Sequence, residues 1–497
     1  MSKLSRNAIT GVEYEIPSSE VDRQAIENFL AQNNGKQVIV VQGLGFVGAV
    51  MSLVCANSLG VEYAVIGVDL LSPATYWRIK SLNEGQFPLI ADDPLIEEFY
   101  QNARTKGNFL ATYDPAAYEY ADVIIVDINL DVQKISSEFG VLQDYSVDLS
   151  GFKSAMKMIG SHCKEDVLLL VETTVPPGTC QQVVKPLIEE ELVKRGLKVD
   201  YYKLGHSYER VMPGPQYIDS IRSYPRVYSG IDGKSADAVE VFLSTIIDTS
   251  SCTLKRLGST NATEMAKVLE NSYRAMNISF VVEWTKFAEE AGVNLYDVVD
   301  AIRARKTHSN LMLPGIGVGG YCLTKDPLLA SWANQTFFNS KNSLDMSVGA
   351  VATNDRMPFY AFERLKQLHG DLNKVEVLVL GVSYRGDVGD TRFSPVELFV
   401  ECLESSGAQV FLHDPYVSFW PERNRSVEQN ITISLSGEPT VLVITTGHRL
   451  YTLNSTVDAI MACKPLTVFD TIGLFSQDQI NQLSAKHIVK VLGRGDI

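Results

Sequence analysis

The sequence predicts an α/β protein with two doubly wound units, one on each side of a long helix. Three observations carry this. In both halves of the chain, short apolar runs alternate with helical stretches, the pattern of a parallel sheet covered by helices. A glycine-rich turn, "GLGFVG" (43–48), joins the first apolar run to a helix. Between the halves, Asn261 to about Ala304 reads as helix, with a proline-free stretch that ends near Gly292. At ~1.5 Å per residue, that stretch spans roughly 45 Å, a domain diameter.

Taken in order, residues 1–35 are polar and form an N-terminal extension, in which "SSEVDRQAIENFLAQN" carries a capping Ser before a helical pattern. Residues 36–247 form the first α/β domain. "QVIVVQ" is a strand, "FVGAVMSLVCANS" a helix and "VIGVD" a second strand, followed by the strands "ADVIIVDIN" (121–129), "DVLLLVETT" (166–174) and "RVYSGID" (226–232). The segment "GHSYERVMPGP" (205–215) is turn-rich. Residues 248–365 are the central helical region, and 366–497 repeat the α/β rhythm. There "KVEVLVLGVSY", "AQVFLHDPYV", "TVLVITTGH" and "LTVFDTIG" are strands and "SPVELFVECLESSG" is a helix. No tandem repeat or low-complexity run occurs.

At 497 residues the chain exceeds one ordinary core, and 45% hydrophobic with 21% charged residues is a globular composition. No apolar run reaches the ~18 residues that span a bilayer. The N-terminus has no apolar signal region, so a cytoplasmic protein without a membrane partner is expected. A net charge of −15 disfavours nucleic acid as a partner but leaves room for a small anion in a local cationic pocket. The seven cysteines are scattered and odd in number, without CxxC or His-spaced pairs. That argues against a disulfide framework and against a metal site.

The glycine turn has a definite physical reading. Gly43 permits the tight turn, Gly45 lets backbone approach a pyrophosphate, and Gly48 lets helix and strand pack closely. Phe46 and Val47 open the helix, whose N-terminus offers N–H donors to phosphate. Asp69, ending the next strand, is placed to bond a ribose 2′-OH and repel a 2′-phosphate, which favours NAD over NADP. FAD uses a similar loop and is not excluded by it.

On the long helix, Glu264, Lys267, Asn271 and Arg274 share one face. That stripe is either solvated or lines a cleft. "ETTVPPGT" (172–179) places hydroxyls at the end of a strand, where open sheets bind ligands. In "GVGGYCLTKDP" (317–327), Cys322 is either a turn cysteine or a nucleophile. As a nucleophile it has glycines before it for close substrate approach, Lys325 to favour a thiolate and Asp326 to serve as base. A thiol beside an NAD site suggests oxidation of an alcohol to an acid through a thiohemiacetal and thioester, with two hydride acceptors per turnover.

Together these motifs resemble the UDP-glucose/GDP-mannose dehydrogenase family, the nucleotide-sugar 6-dehydrogenases. The resemblance covers almost everything after residue 35 and keeps the family order: "GLGFVG", "ADVIIV", "VETTVPPGT", "YERVMPG", "ATEMAKVLENSYRAMN", "PGIGVGGYCLTKDP", "LGVSYRGDVGDTRFSP" and "HDPYV". It implies two Rossmann-like domains joined by a central helix that also forms a dimer, and a UDP-sugar substrate oxidised with NAD for polysaccharide biosynthesis. It implies Cys322 as nucleophile and Lys267 as oxyanion stabiliser, with Asn271 as hydrogen-bonding partner. Asp326 and Thr174 would handle the catalytic water and Glu209 proton transfer. Arg392 would reach toward the cofactor, and Arg210, Lys267, Gly319, Tyr384 and Arg385 would contact the nucleotide sugar.

The chain also departs from the family pattern. "VDINLDVQK" stands where a Thr-Pro pair is usual, so that wall of the nicotinamide pocket is not carried over. Tyr384–Arg385 replaces Phe-Lys, and Arg305, Lys306 or His308 stands in for an arginine usually supplied across the dimer. "ERVMPG" and "PGIGVGG" resemble the branch acting on UDP-N-acetylhexosamines, whereas "CLTKDP" leans toward UDP-glucose. Besides UDP-N-acetylhexosamine, UDP-glucose and GDP-mannose stay open as substrates. A two-electron oxidoreductase and a catalytically silent nucleotide-sugar sensor stay open as alternatives.

Overall fold

Strands form where aliphatic residues run unbroken, and they stop at glycine, proline or acidic residues. The structure, a computed structural model, describes residues 3–7, 9–19, 21–89, 93–137, 142–211 and 214–497. The chain divides into two units, residues 1–131, 147–268 and 332–341 in the first and 132–146, 269–331 and 342–497 in the second.

The first unit is built on an eight-stranded sheet: β1 (Gln37–Gln42), β2 (Tyr63–Val68), β3 (Phe109–Thr112), β4 (Val123–Val126), β5 (Leu168–Val171), β6 (Lys203–Tyr208), β7 (Arg226–Gly230) and β8 (Leu254–Arg256). Their spatial order is β8-β7-β6-β5-β4-β1-β2-β3. Neighbours are parallel except β6 and β7, so the expected parallel sheet is in fact mixed. Strand order reverses at β1, which opens a crevice at the C-terminal ends of β1 and β4. Alternate residues serve opposite faces: Ile39 and Val41 enter one core, Val38 and Val40 the other.

Two differences from the sequence reading bear on the site. First, β6 occupies part of the stretch read as turn-rich, and Glu209 follows directly on it. The polar residues His206 and Ser207 disguised the strand, yet both are fully buried, and His206 Nδ1 bonds Thr263 Oγ1 at 2.9 Å. Second, the helix α1 (Arg23–Gln32) is preceded by Asp22 at the cap position, not by a serine. Residues before β1 pack onto the first unit: Ser5 Oγ donates to Pro73 O at 2.8 Å, and Ile26 and Phe29 enter its core. Residues 1–2, 8 and 20 of the extension, and Met212 and Pro213 of "YERVMPG", lie outside the described residues.

The second unit has five parallel strands, β9 (Glu376–Leu380), β10 (Gln409–His413), β11 (Val441–Ile444), β12 (Thr467–Asp470) and β13 (Ile488–Val491). Their order is β10-β9-β11-β12-β13. Both faces are again buried, Val377 and Val379 on one and Leu378 and Leu380 on the other.

Four further helices carry or support candidate residues: α2 (Phe46–Ala56), α3 (Thr260–Glu290), α4 (Asp326–Thr336) and α5 (Asp345–Asp355). α3 gives its residues up to Val268 to the first unit and the rest to the second. A hairpin, Val132–Ser136 with Leu142–Val147, begins within the last three residues of the stretch that departs from the family pattern. In the second unit its Lys134 Nζ lies 2.8 Å from Asp355 Oδ2 at the end of α5. No described helix is long and apolar enough to cross a membrane.

Candidate active site

In the first unit the glycine turn has the geometry a dinucleotide needs. Gly43 has φ +99°, and a Cβ on it would lie 2.3 Å from Asp127 O. A Cβ on Gly48 would lie 1.9 Å from Gly43 O, whereas one on Gly45 would meet nothing within 4 Å. The open side at Gly45 is the N-terminus of α2, with Phe46 and Val47 as its first residues. Asp69 is buried just past β2; its Oδ2 accepts from Leu44 N at 3.1 Å and its Oδ1 from Leu70 N at 2.8 Å. Burial pushes this carboxyl up, while these amides and Arg78 oppose the shift. Asp69 thus also braces the glycine turn, a task the sequence reading did not assign.

Past the ends of β5 and β6 stand the predicted polar residues. Thr173 Oγ1 donates to Val126 O at 3.0 Å and accepts from Ile128 N at 2.8 Å, so it ties β5 to the segment after β4. The neighbouring Thr174 is half-buried. Lys267, 7% exposed, donates from Nζ to Glu209 O at 2.8 Å. The same Nζ lies 3.6 Å from Glu209 Oε1 and 5.5 Å from the centre of the Tyr208 ring. Arg210 lies over the same ring, its guanidinium 5.3 Å from the ring centre and its Nη2 3.3 Å from the Tyr208 hydroxyl.

The polar stripe on α3 divides. Glu264 is fully buried and accepts from Gly178 N at 2.6 Å and Cys180 N at 2.8 Å, holding the turn after β5. Burial pushes its carboxyl up to about 7. Lys267 and Asn271 are buried, whereas Arg274 is exposed.

In the second unit the cysteine loop is tied to α3. Asn271 Nδ2 donates to Asp326 Oδ2 at 2.6 Å, and Asp326 is fully buried at the start of α4. Asp326 N in turn donates to Cys322 O at 2.9 Å, with Cys322 itself exposed. Lys325, also buried, lies 3.4 Å from Asp326 Oδ1 and 4.3 Å from the centre of the Tyr321 ring. Gly319 and Gly320 are required by Tyr384: Cβ atoms there would lie 2.7 Å from Tyr384 Cβ and 2.6 Å from its ring. Burial, with Asp390 and Cys322 nearby, pushes the Tyr384 phenol up to about 12, so it remains a donor.

The cations meet different ends. Arg385, Arg305, Lys306 and His308 are exposed. Arg392 makes a two-pronged pair with Asp390, Nε to Oδ1 at 2.9 Å and Nη2 to Oδ2 at 2.7 Å, and lies 5.7 Å from the Tyr321 ring. Asp414, the counterpart of Asp69 in the second sheet, accepts from Val382 N, Ser383 N and Ser383 Oγ at 2.8–3.0 Å and bonds His448 Nε2 at 3.1 Å. Burial alone would push it up, but these bonds hold it below the ordinary range. Tyr208, Tyr321 and Asp390 contribute to the sites without having been predicted. All three lie inside the quoted motifs, so proximity in sequence to Arg210, Cys322 and Arg392 was their signal.

A strand, a glycine turn, a helix and an acid braced against that turn define a dinucleotide-dependent oxidoreductase. The sequence matches the NAD binding domain of the UDP-glucose/GDP-mannose dehydrogenase family over residues 37–245, its central domain over 261–355 and its UDP binding domain over 378–477. The chain belongs to the UDP-glucose/GDP-mannose dehydrogenase family and is an NAD-dependent nucleotide-sugar dehydrogenase. It is 31% identical over 387 residues to the UDP-N-acetyl-D-mannosamine dehydrogenase of Pyrococcus horikoshii, covering 76% of this chain and 84% of that one. A solved structure of UDP-D-ManNAc dehydrogenase from Pyrococcus horikoshii aligns with a TM-score of 0.75 at 27% identity, over 93% of this chain and all of that one. The NDP-N-acetyl-D-galactosaminuronic acid dehydrogenase of Methanosarcina mazei aligns with a TM-score of 0.72 at 25% identity, over 95% and 98% of the two chains.

Proposed function

We propose that this chain oxidises the C6 hydroxyl of a UDP-N-acetylhexosamine to the uronic acid, a four-electron reaction through a thiohemiacetal and a thioester on Cys322. The bond from Asn271 to Asp326, with Asp326 N on Cys322 O, carries this reading. It fixes an exposed thiol and a buried carboxylate on one short loop, as covalent catalysis followed by hydrolysis requires.

NAD, held by Gly43, Gly45, Phe46, Val47 and Gly48 with Asp69 at the ribose, accepts a hydride when bound. The chain's own residues do the rest. Cys322 Sγ adds to the aldehyde carbon, and the developing oxyanion is met by the Lys267 ammonium. Loss of the second hydride leaves a thioester. Asp326 and Thr174 orient the water that attacks it, Glu209 takes up a proton from that water, and the C–S bond breaks to return the thiol. One alcohol and one water become one carboxylate, with two hydrides and three protons released. Arg210, Lys267, Gly319, Tyr384, Arg385 and Arg392 are the proposed contacts to nucleotide sugar and cofactor.

The names of the relatives support an N-acetylated UDP-sugar over UDP-glucose or GDP-mannose. A panel of these nucleotide sugars tests the whole reading. Two NADH per acid formed is the expected result. One NADH with release of aldehyde makes the chain a two-electron enzyme, and binding without NADH makes it a sensor. We further infer a homodimer: Leu269, Tyr273, Phe280, Trp284 and Phe287 on α3 are 47–64% exposed, an apolar stripe longer than a monomer usually leaves to water.

A further inference from the structure

At the C-terminal end of the first sheet lies a set of charges that the proposed reaction does not use. Asp127 follows β4, Glu172 follows β5, and Arg226 opens β7, whose reversed direction starts it at that same end. Glu172 is 1% and Arg226 2% exposed, and Arg226 Nη2 lies 3.5 Å from Glu172 Oε1. Yet both Glu172 oxygens, Asp127 Oδ2 and all three Arg226 nitrogens are buried without a hydrogen-bond partner among the described residues.

Charge counting makes this arrangement specific. One guanidinium neutralises one carboxylate, and a second carboxylate left ionised in a dry space is strongly unfavourable. That second group therefore keeps a proton. Burial is the largest cause pushing Asp127 and Glu172 up; Glu209 adds to it, and Arg226 opposes it. The other groups facing the set are Cys55 on α2, its thiol pushed well up by burial and by these carboxylates, and Cys252, whose thiol is pushed up by burial and Asp248. Both stay neutral and leave the proton to the carboxyls. Glu209 feels Lys267 on its other side, 3.6 Å away.

We propose that Asp127, Glu172 and Arg226 form a buried proton-holding site, two carboxyls sharing one guanidinium and one proton, which sets the charge that Glu209 experiences. Asp127 belongs to the segment that replaces the family's usual Thr-Pro stretch, and its backbone abuts Gly43. While the proton is held, the set is neutral. When it leaves, one net negative charge appears beside Glu209. Asp127 and Glu172 are positioning residues, acting through Glu209.

The test begins with infrared difference titration of the full chain without cofactor. Wild type should lose a buried carboxylic-acid band as pH rises through neutrality. Asp127→Asn, which mimics the protonated form, and Glu172→Gln should each remove that band and leave one carboxylate for Arg226. Glu264 contributes a band of its own, so wild type minus variant is the quantity read. Second, the kcat profile of wild type should carry an ionisation in this range that Asp127→Asn lacks. A band unchanged in both variants refutes the proton site, and identical kcat profiles refute the link to Glu209. The link rests on the reaction proposed above, whereas the infrared result does not. Failure of the substrate panel would therefore remove that reaction and leave the proton site standing or falling on its own band.

Discussion

At the residue scale, the candidate side chains are held by partners that make their replacement informative. Cys322→Ala should lose acid formation by roughly a thousandfold or more while nucleotide-sugar binding persists, as read by calorimetry against NADH production. Lys267→Ala removes the cation proposed for the oxyanion and should lower kcat by about 10²–10³. It also frees Glu209 O, so thermal denaturation of the same variant separates a folding defect from a catalytic one. Glu264 gives a pH dependence with a definite sign. Its carboxyl is pushed from 4.5 to about 7, mainly by burial. The native state therefore binds its proton more tightly than the unfolded chain does. The stability it contributes is complete below 4.5 and is lost as pH rises toward 7. Urea midpoints across that range should fall in wild type and fall less in Glu264→Gln, and the glutamine should itself cost about 1–3 kcal/mol by setting an NH2 against a backbone N–H.

At the element scale, the hairpin Val132–Ser136 with Leu142–Val147 starts where the departure from the family pattern ends. It is held in the second unit by Lys134 and Asp355, whose carboxyl burial pushes up and Lys134 pulls back. Lys134→Met should destabilise the chain by about 1–3 kcal/mol, and adding Asp355→Leu should recover part of that loss in a double-mutant cycle by removing the stranded carboxylate. Strands such as β1 and β9 were legible because aliphatic runs leave no alternative in a sheet covered on both faces. β6 was not, since "KLGHSY" reads as polar until Thr263 is seen to bond His206 Nδ1 inside the core. α3 was legible in extent, but not the use of its stripe, since period alone cannot tell that Glu264 braces a turn while Arg274 meets water.

At the scale of the whole molecule, the α3 stripe predicts self-association. Sedimentation analysis should give a dimer, and Trp284→Lys, placing a charge amid Phe280 and Phe287, should shift it to monomer. Local pattern was enough for the two α/β units, the NAD turn and the cysteine loop: periodicity, glycine at a tight turn, an acid at a strand end. Tertiary structure alone decided which charges face each other. Lys267 meets Glu209 across 58 residues and Asn271 meets Asp326 across 55. Arg226 joins Asp127 and Glu172 only because β7, with β8 beside it, runs against the other six strands. Electrostatic energy depends on distance and dielectric, and neither exists until the chain has folded.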